Sequence, residues 1–176
     1  MELLGLAISA ATLLVVAAAA VAAIVQLRHL RTSNQLAAVL EIMNQWNAPP
    51  LQAALAELRH VSEKMRDPTY IAEVTVPGSG VRAKHTEFLA LDFWEQIGTF
   101  VKYGLIDQSI LMDVISAQVT NGWRYAAPLI DAVRESAGMS AFENFEYLAV
   151  RATQWERRFP NGTYPPGFAR MRELTP

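Results

Sequence analysis

The chain opens with an uninterrupted apolar run. Residues 3–25 carry no charged side chain, and Ser9 and Thr12 are their only polar side chains. A helix of these 23 residues, rising about 1.5 Å per residue, is about 35 Å long, which is enough to cross the hydrocarbon core of a bilayer. The pattern therefore predicts one membrane-spanning helix near the N-terminus.

Two alternatives to a spanning helix stay open. A cleaved secretory signal would also be apolar, but Glu2 stands where such a signal has basic residues, and the apolar run is longer than a usual signal core. A core helix of a water-soluble protein could also be apolar on every face.

The flanks of the apolar run predict its orientation. Arg28 and Arg31 follow the run, whereas only Glu2 and the α-amino group precede it. Because basic residues stay on the cytoplasmic side, we expect a cytoplasmic body, an external N-terminus, and headgroup contacts from both arginines. Gly5 and Ser9 form a small-xxx-small pair, which predicts packing against another membrane helix.

The apolar positions continue at helical spacing beyond the membrane. Leu36, Leu40 and Met43 recur three to four residues apart, and no proline or glycine interrupts residues 6–47. We therefore expect a stalk helix over residues 28–47, in continuation of an anchor over residues 1–27. These three apolar side chains are the predicted surface for a partner.

Residues 48–158 have the pattern of a helical bundle. Pro49-Pro50 ends the stalk and opens a helix whose apolar stripe runs over residues 51–65. Residues 67–76 fit either a short helix or extended chain, and residues 77–80 (Pro-Gly-Ser-Gly) predict a loop.

Further helices are expected in the rest of this segment, over residues 82–103, from Asp107 to a break at Asn121-Gly122, from Trp123 to Glu135, and from Ser140 to Arg158. Ser140 and Glu143 have the spacing of a capping box. Residues 159–176 form a Pro/Gly-rich basic tail. No segment of useful length alternates between apolar and polar residues as a half-buried strand does. The predicted fold class is therefore all-α.

Composition excludes several kinds of chemistry. The 176 residues include no cysteine, which removes disulfides, thiolate nucleophiles and cysteine-bound metals. The net charge of −2 argues against a nucleic-acid binder. The three histidines are far apart, and no phosphate-binding loop or nucleophile motif occurs. We therefore expect neither an enzyme nor a cofactor.

Three charged residues lie among aromatic and apolar residues of the predicted helices, namely Glu95, Arg134 and Glu146. Buried charges need partners, so we expect an interhelical network that fixes helix register. The alternative is a polar pocket for a ligand.

The segments DFWEQIGTFVKYGLID, NGWRYAAPLIDAVRES and FENFEYLAVRA, within residues 92–152, resemble a family of small bacterial proteins known only as a domain of unknown function. The matching residues are Phe93, Glu95, Gly104, Asp107, Trp123, Pro128, Ile130, Arg134, Phe145, Glu146 and Leu148. The resemblance implies a bacterial protein with one N-terminal membrane helix and a helical body, and it implies no enzyme activity. Together with the predicted orientation, we expect the protein in the inner membrane of a bacterium.

These observations favour a non-catalytic accessory or scaffolding subunit. It would sit in the lipid bilayer and dock on a membrane protein or on copies of itself. The alternative is a membrane-anchored sensor or effector, for instance in bacterial defence or stress signalling, whose helical domain binds a ligand or a protein trigger.

Overall fold

A computed structural model of the chain describes residues 2–76 and 79–174. Over these residues the secondary structure is helical with turns and loops and without strands, which confirms the predicted all-α class. The helices are α1 (Glu2–Trp46), α2 (Pro49–Leu58), α3 (Val61–Lys64), α4 (Pro68–Val74), α5 (Ser79–Lys84), α6 (Glu87–Lys102), α7 (Gln108–Ala137), α8 (Glu143–Arg158) and α9 (Met171–Leu174).

The chain divides into two compact units, Met1–Ile42 and Met43–Pro176. The first unit consists of helical residues of α1. From Ser9 onward this helix is long and apolar enough to cross a membrane, and none of its most apolar window is buried within the chain. The alternative of a buried core helix therefore does not describe this segment, and α1 is a candidate membrane span.

The second unit is a helical bundle built on α6. Helix α8 packs against α6 and α7, and α2 packs against α6 and α7. The fully buried side chains come from each of these helices and include Leu58, Leu91, Trp94, Ile97, Leu111, Met112, Leu129, Ile130, Phe145 and Leu148. On α6 and α8 these side chains recur every three residues (Leu91, Trp94 and Ile97; Phe145 and Leu148), as the sequence pattern predicts for core-facing stripes.

The predicted helix break at Asn121-Gly122 is wrong. Helix α7 runs without interruption over Gln108–Ala137 and includes Pro128. Gly122 lies in the core, where a Cβ atom would stand 3.0 Å from Trp94 Nε1. The glycine therefore allows α6 and α7 to approach closely. In the sequence, an Asn-Gly pair inside a helix looks the same as an Asn-Gly pair that forms a turn.

Two other predicted helices are divided. The apolar stripe over residues 51–65 belongs to two helices, because α2 ends at Leu58 and α3 begins at Val61. The helix predicted over residues 82–103 is split into α5 and α6 by His85 and Thr86. His85 is buried, and its ring lies edge-on to Tyr70 with centroids 5.1 Å apart.

The ambiguous segment at residues 67–76 is a helix. Asp67 caps α4, and its carboxylate accepts a hydrogen bond from the Thr69 backbone N–H at 2.9 Å. Of the predicted Pro-Gly-Ser-Gly loop, Pro77 and Gly78 lie outside the described residues. Ser79 and Gly80 begin α5.

Candidate functional site

The most buried carboxylate described is that of Glu87, in the first turn of α6, where the residue is 1% exposed. The Tyr70 hydroxyl donates to Glu87 Oε1 at 2.5 Å, and Lys64 Nζ lies 3.4 Å from Oε2. A buried carboxylate is strongly unfavourable unless it is paired and hydrogen-bonded. Here the partners come from α3 and α4, so the carboxylate joins three helices.

His85 extends this cluster toward Glu73. Its Nε2 atom lies 3.0 Å from Glu73 Oε2, and its Nδ1 atom lies 3.8 Å from Glu87 Oε1. Lys84 also binds Glu73. On the opposite side, Lys64 Nζ lies 2.8 Å from Glu57 Oε2. The resulting buried-carboxylate cluster contains Glu57, Lys64, Tyr70, Glu73, Lys84, His85 and Glu87.

The protonation equilibria in this cluster follow from burial and charge. Burial, together with the bond to Glu87, raises the pKa of Tyr70 well above its usual value, so Tyr70 stays a hydrogen-bond donor. Burial alone would lower the pKa of Lys64, but the bonds to Glu57 and Glu87 outweigh it and raise that pKa. The hydrogen bond from Lys84 lowers the pKa of Glu73.

The cluster is a set of mutually satisfied donors and acceptors. Within residues 2–76 and 79–174, no group of three or more His, Asp or Glu side chains could hold a metal ion. Sequence reasoning did not single out Glu87. The feature that could have identified Glu87 is an acidic residue at the start of a broadly apolar run, two residues after a histidine.

The predicted network of Glu95, Arg134 and Glu146 occurs as two separate arrangements. Arg134 Nη2 lies 2.7 Å from Glu146 Oε2, and Arg134 Nε donates to the Ala141 carbonyl at 3.0 Å. The Arg134 side chain is 7% exposed, whereas that of Glu146 is 45% exposed. Glu95 instead contacts the first turn of α8.

Glu95 caps α8 from a different helix. Its Oε2 atom accepts from the Phe145 backbone N–H at 2.7 Å, and its Oε1 atom accepts from Asn144 Nδ2 at 2.7 Å and from the Asn144 backbone N–H at 3.3 Å. A carboxylate at a helix N-terminus satisfies free N–H groups and faces the positive end of the helix dipole.

This cap replaces the predicted Ser140–Glu143 capping box, which is wrong. The N-cap residue is Phe142, in a left-handed conformation with φ of 55°, and it makes no side-chain cap bond. Gly98, one turn after Glu95, brings α6 close to this region, because a Cβ there would stand 2.0 Å from the Asn144 carbonyl oxygen. Close backbone approach therefore lets Glu95 reach the start of α8.

The remaining predicted site residues lie along α1. Gly5 and Ser9 are exposed, and Ser9 Oγ donates to the Gly5 carbonyl at 2.9 Å within the helix. Arg28 and Arg31 are exposed as well. The predicted partner surface consists of Leu36, Leu40 and Met43. Leu36 and Leu40 are exposed, and Met43 is half-buried.

Comparison with protein families identifies the chain. The family described as "Domain of unknown function (DUF4760)" matches residues 13–152. Comparisons with curated proteins and with solved structures gave no match. The match covers most of the chain and includes the segments within residues 92–152 whose resemblance to a family of unknown function was noted above. The chain therefore belongs to the DUF4760 family.

Proposed function

We propose that the protein is a membrane-anchored accessory or scaffolding subunit that docks on a membrane protein complex or on copies of itself. The observation that carries the proposal is the most apolar window of α1 from Ser9 onward, none of which is buried by the rest of the chain. Such a surface is stable in lipid or against another apolar surface. The family match begins at residue 13, inside the apolar run of residues 3–25, so anchor and body belong to one family unit.

The proposed location is the inner membrane of a bacterium, with the helical body in the cytoplasm. Arg28 and Arg31 support this orientation, because both are exposed on the side of the span that leads to the body. Their side chains would contact anionic headgroups.

The proposed docking surface has two parts on α1. Gly5 and Ser9 would allow another membrane helix to approach closely. Leu36 and Leu40, which are 60% and 55% exposed, would contact a partner outside the bilayer together with Met43. Large exposed apolar side chains four residues apart form one helix face, as helix-in-groove contacts require.

The proposed role is non-catalytic. Support comes from the charged clusters, since the groups around Glu87, Glu95 and Arg134 are occupied by bonds that join helices. Docking needs only surface complementarity, which the exposed faces of α1 can supply.

The test uses the full chain in native-like membranes. We would crosslink membranes that contain the tagged protein, isolate it in mild detergent, and identify crosslinked chains by mass spectrometry. The expected result is a defined crosslink from residues near Leu36 and Leu40, to another membrane protein or to a second copy.

A matched pair of variants separates specific docking from nonspecific contact. Leu36→Glu with Leu40→Glu would remove the crosslink, whereas Leu105→Glu with Met139→Glu, at exposed apolar positions of the second unit, would keep it. A chain that fractionates with soluble protein, or that is monomeric and crosslinks to nothing, would overturn the proposal.

A further inference from the structure

The chain after α8 forms a closed loop on the surface of the second unit, called here the C-terminal loop (residues 159–174, including α9). Arg170 Nη2 donates to the Asn161 carbonyl at 3.1 Å, and the Tyr164 hydroxyl donates to the Ala169 carbonyl at 3.0 Å. The Arg170 guanidinium also lies over the Tyr164 ring, 4.6 Å from its centroid. A short loop that is closed by its own side chains is a pre-formed element, and such loops frequently carry function.

The beginning of this loop is fixed to the helical bundle. Phe159 packs on Trp155 of α8 with ring centroids 4.5 Å apart. The Thr163 hydroxyl donates to the Asp113 carboxylate on α7. The C-terminal loop therefore has a defined place on the second unit, although its Pro/Gly-rich sequence predicts only a tail.

Large apolar side chains of the C-terminal loop are exposed. Phe168 is 72% exposed, Met171 is 78% exposed, and Tyr164 is 48% exposed. Gly167 has a φ of 85°, a conformation that favours glycine, so the chain turns immediately before Phe168. Apolar surface that stays in water lacks the stabilisation that burial gives. Several such side chains close together in a structured loop indicate an interaction surface.

The end of the chain is also basic, in contrast to the rest of the second unit. Residues 157–174 contain four arginines and one glutamate, which give a net charge of +3. Residues 43–156 contain nine lysines and arginines and fourteen acidic residues, which give a net charge of −5. Arg157 and Arg158 at the end of α8 are exposed, and so is Arg170. Positive charge and exposed apolar side chains therefore occur together at this end of an otherwise acidic body.

From these features we propose that the C-terminal loop is a second membrane contact, which binds the surface of a bilayer that contains anionic lipid. Phe168 and Met171 enter the headgroup region, and Arg157, Arg158 and Arg170 bind lipid phosphates. Peripheral binding of this kind combines buried apolar area with attraction between basic residues and anionic headgroups.

The inference rests on the proposed function in one respect, since α1 is the anchor that keeps the body beside a bilayer. A short basic and apolar loop binds a lipid surface only weakly by itself, but a tether gives it a high effective concentration there. A bilayer surface also requires no complementary shape, which an acidic protein partner would require. Because the rest of the second unit is acidic and is repelled by anionic lipid, the C-terminal loop would determine which side of the body faces the membrane.

The test places one fluorescent label beside Phe168. The chain has no cysteine, so Ala169→Cys gives a single labelling site. The full chain, with an environment-sensitive fluorophore at this site, is placed in nanodiscs of phosphatidylcholine alone or of phosphatidylcholine with phosphatidylglycerol. We expect emission at shorter wavelength in the anionic nanodiscs, and we expect high salt to reverse the difference by screening the charges. Equal emission in the two kinds of nanodisc would overturn the proposal.

A second labelling site shows whether the effect is local. Ala137→Cys, at the exposed end of α7, carries the same fluorophore and should give the same emission in both kinds of nanodisc. A shift as large at position 137 as at position 169 would mean that the whole body contacts anionic lipid, and the assignment to the C-terminal loop would be wrong.

Matched charge variants test the role of the arginines. Arg157→Gln with Arg158→Gln is expected to lower the ratio of membrane-bound to free loop by about tenfold, because two contacts with anionic headgroups are lost. Arg59→Gln with Arg66→Gln removes the same charge from exposed positions outside the loop and should leave this ratio nearly unchanged. Equal losses in the two pairs would overturn the assignment of Arg157 and Arg158.

Matched apolar variants test the insertion of the loop. Phe168→Ser with Met171→Ser should abolish the emission shift in anionic nanodiscs, whereas Leu105→Ser with Met139→Ser, at exposed positions outside the loop, should keep it. A shift that survives the loss of Phe168 and Met171 would contradict their entry into the headgroup region.

Co-elution of the chain with the nanodiscs reports on α1 separately. A chain that elutes without nanodiscs contradicts the membrane anchor of the proposed function. A chain that co-elutes with both kinds of nanodisc, while position 169 stays in water, contradicts the present inference alone. If position 169 is shielded from water in native membranes but not in anionic nanodiscs, the partner is an acidic protein and the lipid assignment is overturned.

Discussion

Two carboxylates on α6, the buried Glu87 and the half-buried Glu95, are satisfied by different kinds of partner. Glu87 is bonded to the side chains of Tyr70 and Lys64, which carry protons of their own. Glu95 is bonded mainly to the start of α8, including two backbone N–H groups that do not titrate. The comparison shows that α6 contacts α3 and α4 through side chains that titrate, and contacts α8 through backbone donors that do not.

The largest expected effect is at Glu87. Glu87→Leu leaves the Tyr70 hydroxyl without its buried acceptor, whereas Lys64 keeps its contact with Glu57, and a buried donor left unsatisfied costs about 1–3 kcal/mol in the free energy of unfolding. Urea unfolding of the full chain, followed by tryptophan fluorescence, measures this loss, because all four tryptophans lie in the second unit.

Glu135→Leu is the control, since Glu135 is an exposed residue on the same bundle. If both variants lost similar amounts of stability, the cluster would not hold the helices together as described.

A smaller loss is expected at Glu95. Glu95→Ala removes the cap of α8 and is expected to cost about 1–2 kcal/mol, as the loss of other helix caps does. Glu95→Gln keeps one acceptor oxygen and should cost less. Hydrogen exchange of the Asn144 and Phe145 amides gives the local readout. Exchange that stays as slow in Glu95→Ala as in the parent chain would exclude the cap.

The response to pH separates the two arrangements. Because the pKa of Tyr70 is raised in the folded chain, its contribution to stability is fully present below the unfolded value of 10.0 and is lost as pH rises above it. The stability difference between the parent chain and Tyr70→Phe should therefore shrink above pH 10.0.

The matched comparison is Glu95→Ala, whose difference from the parent chain should stay constant over the same range, since backbone N–H donors do not titrate. Urea midpoints at a series of alkaline pH values measure both differences. A constant difference for Tyr70→Phe would contradict the assignment of Tyr70 as a protonated donor to Glu87.

The smallest effect is expected at Lys102. Its Nζ atom lies 3.0 Å from Glu143 Oε1 and 3.0 Å from Asn144 Oδ1, beside the Glu95 cap. The bond to Glu143 raises the pKa of Lys102. Exposed ion pairs contribute little to stability. Lys102→Gln should therefore change the free energy of unfolding, measured by urea unfolding, no more than an ordinary surface substitution does. A loss as large as that of Glu95→Ala would mean that Lys102, and not Glu95, holds the start of α8.

The sequence predicts the elements that depend on local patterns. The apolar run of α1 and the apolar positions of the core helices follow from periodicity, and Asp107 caps α7 as its position suggests. The pairing of Arg134 with Glu146 also agrees with the rule that buried charges need partners. These features need only nearby residues or a general rule about burial.

Other features depend on which helices become neighbours, so sequence spacing could not give them. Gly122 has the local signature of a turn, but Trp94 from another helix determines its role. Glu95 reaches Asn144 across 49 residues of sequence. Glu87 was overlooked because its partners on α3 and α4 are 23 and 17 residues away.

The Glu95 cap has a consequence for the order of assembly. A helix whose first turn is closed by a side chain from elsewhere cannot complete that turn in isolation, so the beginning of α8 would become structured only after α6 has formed beside it. A peptide of residues 138–158 alone would then fray at its N-terminal end. During synthesis α6 leaves the ribosome before α8, so the first turn of α8 can form as soon as α8 itself has emerged.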